Sequence, residues 1–250
     1  MKKLSVTIIT LNEERNIERC LNSVSGLADE IVVIDSFSTD RTEQICLTYG
    51  VLFKTHPFKG YIEQKQVAVD QCTNNFILSL DADEALSEEL RMAIAREKEK
   101  DFPAALYTMN RLTNYCGQWI RHGGWYPDKK LRLFDKSVAK WGGQNPHDKI
   151  VAIDAELPVH HLNADILHYS YNTVADHWRQ SDKFASIAAK ALASRGKRYT
   201  TTVVILKTFA KFIRNYIIKG GFLDGRNGFI ISRISAWESW QRYSRVKDYS

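Results

Sequence analysis

Residues 75–84 read Asn75-Phe76-Ile77-Leu78-Ser79-Leu80-Asp81-Ala82-Asp83-Glu84. The run begins as a short apolar stretch of the kind a buried strand wants. It ends in three carboxylates within four residues, and unpaired charge of that density is costly inside a core. The pattern fits the C-terminal tip of a central parallel strand, where open α/β sheets bind ligands. Asp81 and Asp83 are two apart, so on an extended chain they point the same way. Two carboxylates on one side of a strand tip suit a divalent metal that also holds phosphate oxygens. The bland alternative is a strand end followed by a helix cap, with Ser87 and the Glu88-Glu89 pair opening the next helix.

Outward from this stretch, strand and helix patterns alternate. Leu4 to Thr10 is a β-branched strand, and Asn12 is placed to cap a helix carrying Ile17, Leu21 and Val24. Glu30 to Asp35 is a second strand ending in a carboxylate. A helix capped by Thr39 or Asp40 runs to Tyr49, Val51 to His56 is a third strand, and Gly60 opens a helix to about Gln71. The short repeat of strand and helix predicts an α/β fold, a mostly parallel central sheet with helices on both faces. After the helix over 87–100 the rhythm changes. Two glycine-rich loops, Trp119 to Pro127 and Trp141 to Asp148, flank a strand over Lys130 to Phe134. Val159 to Tyr169 reads as a strand, and the rest as helices interrupted at Gly220-Gly221-Phe222-Leu223-Asp224-Gly225.

The chain has 250 residues, 44% of them hydrophobic, enough for one large core with an appendage. Four scattered cysteines without a Cys-x-x-Cys read as reduced thiols, so a disulfide or zinc framework is not expected. No signal-peptide pattern follows Met1-Lys2-Lys3, and no stretch of about 20 uncharged apolar residues occurs. The net charge of +6 is uneven. Residues 195–250 hold twelve Lys/Arg against three acids, a net +9, which leaves −3 for residues 1–194. A basic tail on a mildly acidic body suits an anionic partner, membrane or nucleic acid.

Three strand tips carry polar or acidic groups: Asn12-Glu13, Asp35, and Asp81 with Asp83. In a parallel sheet these share one edge. Taken together, Thr10-Leu11-Asn12-Glu13-Glu14, Val33-Ile34-Asp35-Ser36-Phe37-Ser38-Thr39-Asp40 and Leu80-Asp81-Ala82-Asp83-Glu84 resemble the family-two glycosyltransferases of the GT-A fold. Later stretches narrow the likeness. Gly60-Tyr61-Ile62-Glu63-Gln64-Lys65-Gln66, His122-Gly123-Gly124-Trp125-Tyr126-Pro127-Asp128, Arg132-Leu133-Phe134, Pro146-His147-Asp148 and Gly221-Phe222-Leu223-Asp224-Gly225 follow in order. That series is similar to the lipopolysaccharide inner-core β-1,4-glucosyltransferase group. Two departures stand out: the group's His-Glu is His147-Asp148 here, and its Gln-Arg is Gln64-Lys65, a point charge in place of a fork.

The resemblance implies an inverting, metal-dependent hexosyltransferase acting on a UDP-sugar and a lipopolysaccharide-core or other lipid-linked glycan. It implies that Thr10, Asn12, Glu13 and Asp35 hold uracil and ribose, with Lys65 near the nucleotide. Asp81, Ala82, Trp125 and Arg132 belong to the substrate site under the same likeness. Asp83, Asp81 and His147 would hold Mg²⁺ or Mn²⁺, which neutralises the leaving diphosphate. An inverting transfer needs a base for the acceptor hydroxyl, and Asp148 is the choice. Trp119, Trp125 and Tyr126 are candidates for stacking on sugar. His160, His161 and His168 alternate too irregularly for a metal site and read as structural or partly exposed.

Residues 1–170 are thus expected to form the catalytic domain and 171–250 a helical, basic, amphipathic segment. In the latter, Lys207, Lys211, Arg214 and Lys219 keep to one stripe beside a wide apolar face from Val203 to Ile217. Such a helix suits the headgroup region of an anionic membrane, so a peripheral site on the cytoplasmic face is expected. Docking on the catalytic domain, or on a second copy in an oligomer, is the alternative. Two other functions compete. An Asp-x-Asp phosphohydrolase would need a hydroxyl residue soon after the pair, but Glu84-Ala85-Leu86 follows. A nucleic-acid-binding protein would use the basic tail, yet its cations are interleaved with long aliphatic side chains.

Overall fold

The computed structural model describes residues 1–145 and 147–249, with the backbone alone at His147. In chain order the elements are β1 (Leu4–Thr10), α1 (Ile17–Val24), β2 (Glu30–Asp35), α2 (Thr42–Thr48), β3 (Leu52–Thr55), α3 (Tyr61–Asp70), β4 (Phe76–Asp81), β5 (Glu84–Leu86) and α4 (Glu88–Glu99). Then come β6 (Leu106–Tyr115), β7 (Gln118–Ile120), β8 (Asp128–Asp135), β9 (Ala139–Gln144), β10 (His147–Ala152), β11 (Val159–Tyr171), α5 (Val174–Ala193), α6 (Thr201–Ile213) and α7 (Gly225–Ser244). Two compact units result, residues 1–111 with 128–168, and residues 112–127 with 169–250. The segment 112–127, grouped with the first domain by sequence, sits in the second unit.

The first unit is built on a sheet ordered β3-β2-β1-β4-β8-β6-β11-β5. Its first four strands are parallel. Beyond β4 the pairings to β8, between β8 and β6, and between β11 and β5 are antiparallel. The parallel, nucleotide-type half was legible as alternating strand and helix; the antiparallel half is what replaced that rhythm after α4. Alternation along each strand feeds two cores, one on each sheet face. Leu4, Val6, Ile8, Leu78 and Leu80 pack on the apolar stripes of α1 and α4. Val32, Ile34 and Ile77 face α3 on the other side, where Trp141 and Ile150 join them. Ser87 caps α4 as expected, its hydroxyl accepting from Leu90 N–H at 3.2 Å.

Two local expectations fail for identifiable reasons. In the glycine-rich stretch, residues 141–144 belong to β9 and pair antiparallel with β10 in a β9–β10 hairpin, with Asp148 opposite Gly143 and Lys149 opposite Gly142. The glycines there make a close-packed strand: a Cβ on Gly142 would meet Val151 Cγ2 at 3.0 Å. Asn12 does not cap α1, which begins at Ile17. Its backbone is left-handed (φ 55°), a conformation Asn tolerates, and its amide oxygen accepts from Thr39 N–H at 2.8 Å. Asn12 therefore ties the loop after β1 to the loop after β2.

In the second unit the end of β6 pairs with β7, Thr113 opposite Ile120. Tyr115 is fully buried, with Trp125, Tyr171 and His177 packed edge-on around it. A capping box at Thr173 and Asp176 starts α5. Helices α5 and α6 both pack on α7, with Trp178 against Trp237 and Tyr199 against Tyr243. A π turn over Arg214–Ile218 and a 3-10 turn over Gly221–Asp224 join α6 to α7.

Candidate active site

The carboxyl ends of β1, β2 and β4 gather the polar groups expected there. Thr10 pairs in register with Asp35, and Ile9 with Asp81. The Thr10 hydroxyl is buried and has no hydrogen-bond partner among the described residues. Asp35 is buried, and Ser38 engages its carboxylate through both N–H (2.7 Å) and Oγ. Glu13 accepts from Asn16 Nδ2 at 2.8 Å, and its N–H donates to Thr42 Oγ1. Burial pushes the Glu13 carboxyl up to about 7; the Asn16 bond opposes this, and the nearby Asp83, Asp40 and Asp81 add to it.

Lys65 is the centre of the site. Helix α3 buries this side chain almost completely, and its ammonium lies 2.9 Å from Asp81 and 2.8 Å from Asp148. It also sits 4.6 Å above the Trp141 ring. The hairpin is fastened to α3 by long-range bonds. Asn145 Oδ1 accepts from Ile62 N–H, Asn145 Nδ2 donates to Glu63, and Trp141 N–H donates to Gln66 Oε1. Gly60 is required beneath this clasp, because a Cβ there would collide with Asn145 and Glu63. The clasp is what carries Asp148 to the β4 tip.

From Asp81 the charges continue. Arg132 Nη2 lies 3.0 Å from Asp81 and 3.2 Å from Glu84. Arg111 lies 3.5 Å from Glu84 and 2.8 Å from Asp128, which also pairs with Lys130 at 3.0 Å. Burial alone would raise the Asp81 carboxyl, but Lys65 and Arg132 outweigh it and hold Asp81 well below the usual carboxylate range. Burial would likewise lower Arg132, yet Glu84 and Asp81 raise it further. Arg132 Nη1 is buried with no partner among the described residues, so one edge of the guanidinium has donors left unspent.

Asp83 goes elsewhere. The chain turns after Asp81, so the two carboxylates do not share a strand face, and Asp83 meets His168 Nε2 at 3.2 Å. His168, read from sequence as structural, therefore belongs to the site. Its irregular spacing from His160 and His161 hid it, because the signal lies in strand pairing: β11 sets His168 opposite Glu84. Glu84 was also missed as a site residue, although it is fully buried and its carboxylate accepts the Asp81 N–H at 3.0 Å. Ala82 is buried, and its N–H donates to Ile9 O. Trp125 packs among Tyr115, Tyr171 and His177 in the second unit. The His147 side chain lies outside the described residues.

A divalent cation beside Asp83 would find only part of a ligand set in the described residues. Asp83 has a half-buried carboxylate beside an imidazole, in surroundings acidic enough to help keep Glu13 protonated. Among the described residues no three His, Cys, Asp or Glu cluster as a complete metal cage, so a cation there would need oxygens from a substrate.

Acids and cations at the carboxyl ends of parallel strands define an α/β enzyme with its site at the sheet edge. The chain belongs to glycosyl transferase family 2, whose pattern matches residues 5–152. It is 31% identical over 260 residues to an uncharacterized glycosyltransferase of Rickettsia typhi, covering 100% of this chain and 88% of that one. It is 26% identical over 255 residues to the lipopolysaccharide core biosynthesis glycosyltransferase LpsC of Rhizobium meliloti, covering 96% and 93%. Among solved structures it is similar to residues 1–349 of S. aureus TarS in complex with UDP, at 18% identity and a TM-score of 0.48, covering 99% and 89%. Family membership decides for a transferase over the phosphohydrolase reading.

Proposed function

We propose that this glycosyltransferase moves a hexose, glucose by preference, from a UDP-sugar to a lipopolysaccharide-core or other lipid-linked glycan, with inversion. The observation that carries the reading is Lys65 bridging Asp81 at the β4 tip and Asp148 on the hairpin. It joins a diphosphate-binding edge to a carboxylate suited to proton abstraction. The likeness to LpsC supports the choice of acceptor.

In this mechanism Asp148 takes the proton of the acceptor hydroxyl as that oxygen attacks the anomeric carbon. The bond from the anomeric carbon to the phosphate oxygen breaks on the opposite side, and the electron pair leaves with UDP. Lys65 and the unpartnered Nη1 of Arg132 would meet the charge that grows on the diphosphate. Thr10, Asn12, Glu13 and Asp35 orient the nucleoside, and the buried Glu84 keeps Arg132 in place. A divalent cation, Mg²⁺ or Mn²⁺, held by Asp83 and His168 would neutralise part of the same charge.

We further infer a peripheral position on the cytoplasmic face of the inner membrane. The support is an exposed apolar surface, Ile205, Leu206, Phe209, Ile217 and Ile218, alongside the exposed Lys207 and Arg214. No helix among the described residues is long and apolar enough to cross a membrane.

The functional test is binding of UDP and of each UDP-hexose, followed by transfer to a lipopolysaccharide-core acceptor. Binding of no uridine nucleotide would overturn the donor assignment.

A further inference from the structure

Two glycine-rich motifs, His122-Gly123-Gly124-Trp125-Tyr126-Pro127 and Gly221-Phe222-Leu223-Asp224-Gly225, take no part in the chemistry above. Both lie in the second unit, and the structure brings them together. Asp224 is buried, and its carboxylate accepts three bonds: His122 N–H at 2.8 Å, Arg121 N–H at 3.3 Å and His122 Nδ1 at 2.9 Å. A carboxylate only accepts, so Nδ1 carries a proton. Nε2 is then the imidazole's outward nitrogen, on a side chain 38% exposed. A buried acid that fixes a half-exposed histidine is an orienting device.

The corner that presents this pair is close-packed. Gly123, at φ 67°, donates its N–H to Lys219 O at 2.9 Å. A Cβ on Gly221 would lie 2.7 Å from Asn215 O, and one on Gly228 would overlap Gly221 O. A Cβ on Gly124 would collide with Lys219 Nζ, so the lysine ammonium lies directly on the glycine loop that bears His122.

The charges around the pair have one sign. Arg121 stacks on the Tyr126 ring at 5.4 Å, and neither Arg121 nor Lys219 has a carboxylate partner among the described residues. Next along the chain, burial and then Arg214 push the Lys211 ammonium down; Glu238 opposes this, while Arg242 and Lys219 reinforce it. Lys219 is thus shared between the glycine loop and a group of cations, Lys211, Arg214 and Arg242, that faces one acid, Glu238. Crowding of this kind is costly in isolation and is relieved by a bound anion.

We propose that His122, Lys219 and Arg121, with Asp224 behind them as a positioning residue, form a recognition site for a phosphoryl group. Ammonium and guanidinium donors suit the oxygens of a phosphomonoester better than the two of a planar carboxylate, and the outward Nε2 of His122 can accept from the hydroxyl of a monoprotonated phosphoryl group. The site rests on the acceptor reading above for its role: it would recognise a phosphoryl group carried by the acceptor.

The test uses the full chain. Inorganic phosphate, glucose 6-phosphate and phosphatidic acid vesicles are each titrated in while the His122 ring resonances are followed by NMR at fixed pH. A saturable shift is expected, weakened about tenfold or more in Lys219→Met and in Arg121→Ser, the scale of one lost charge-assisted hydrogen bond. A shift with the soluble esters supports a glycan phosphate; a shift with vesicles alone supports a lipid headgroup as the source of the same chemistry. No His122 shift with any probe, or equal affinity in parent and variants, overturns the site. UDP binding, measured on the same samples, reports folding and tests the donor assignment separately.

Discussion

In the first unit, eight charged side chains alternate in sign from Asp148 through Lys65, Asp81, Arg132, Glu84, Arg111 and Asp128 to Lys130, each within 3.5 Å of the next. In the second, Lys219 lies on the glycine loop beside the His122–Asp224 pair, and Lys211 feels Arg214, Arg242 and Lys219 against one half-buried acid, Glu238, itself paired to Arg242. The first arrangement answers its charges internally, so it is rigid before substrate arrives, as a site that must stabilise a growing charge requires. The second leaves positive charge unanswered, which suits a surface whose counter-charge comes from outside the chain. The same kinds of residue thus do different work, according to whether the fold supplies their partners.

The comparison breaks most sharply at Glu84. Its carboxylate is shared by Arg132, Arg111 and the Asp81 N–H. Glu84→Ala leaves buried guanidinium groups without it, and breaking a buried pair in this way costs about 3–5 kcal/mol. Urea unfolding of parent and variant measures this directly. A loss under about 1 kcal/mol would show that the alternating chain is not what fixes the first unit.

Asp148 stands at one end of the same chain, with Lys65 its one partner in it, so its removal should cost function more than stability. Asp148→Asn is expected to keep UDP affinity and lower turnover by about 10²-fold or more. Lys65 keeps Asp81 as a partner in this variant. Parent-like turnover would move the base elsewhere, with Asp128, already paired to Arg111 and Lys130, next in line.

The units should also respond oppositely to pH. Folding raises Glu13 from 4.5 to about 7, chiefly through burial, so the native chain keeps a proton that the unfolded chain releases. Stability from this group is present below about 4.5 and is lost as pH rises towards 7. Burial lowers His177 from 6.5 to about 4, so here the unfolded chain binds the extra proton, and stability is lost as pH falls from 6.5 towards 4. Each slope is at most about 1.4 kcal/mol per pH unit. Hydrogen exchange of amides in β1 and in α5, corrected for intrinsic rates, should show opposite trends between pH 4.5 and 6.5. Glu13→Gln should flatten the first trend and His177→Gln the second; parallel trends in the parent would contradict both assignments.

Much of the first unit was readable because each parallel strand ends at a polar tip and each helix shows a stripe, as Ile17, Leu21 and Val24 do. The hairpin β9–β10 was not readable, since Trp141-Gly142-Gly143-Gln144 has the composition of a loop and pairs only because Asn145 and Trp141 fasten it to α3. His168 and Glu84 were obscured for the same physical reason. Their roles depend on β11 pairing with β5, a contact between strands some eighty residues apart in sequence that no local pattern reports. Asp81 was found but its company was not: the turn that follows it takes Asp83 to His168, while Lys65 and Arg132 pair with the Asp81 carboxylate. The pairing of His122 with Asp224 was visible only as two motifs of unknown purpose.

The smallest expected effect concerns the outer surface of the second unit. Of the thirteen residues of α6 only Val204 is buried, while Leu206 and Phe209 are more than 60% exposed, and Ile217 and Ile218 extend the apolar surface past the π turn. Exposed apolar patches of this kind mark an interaction site. Lys207 and Arg214 stand exposed among them, and residues 195–250 carry +9 overall. Near an anionic bilayer each such cation contributes about 1 kcal/mol, so Lys207→Gln and Arg214→Gln should each weaken vesicle binding about fivefold. The loss should shrink as salt is raised, because screening shortens the range of the attraction. Leu206→Asp tests the apolar part, and its effect should persist at high salt, since burial of hydrocarbon does not depend on ionic strength. Co-sedimentation with neutral and anionic vesicles at two salt concentrations separates these contributions. Equal binding to both lipids at both salts would remove the electrostatic part. Absence of binding, together with a dimer in sedimentation that Leu206→Asp dissociates, would instead assign this surface to a second copy of the chain, and the unanswered charge would then have to find its partner within that dimer.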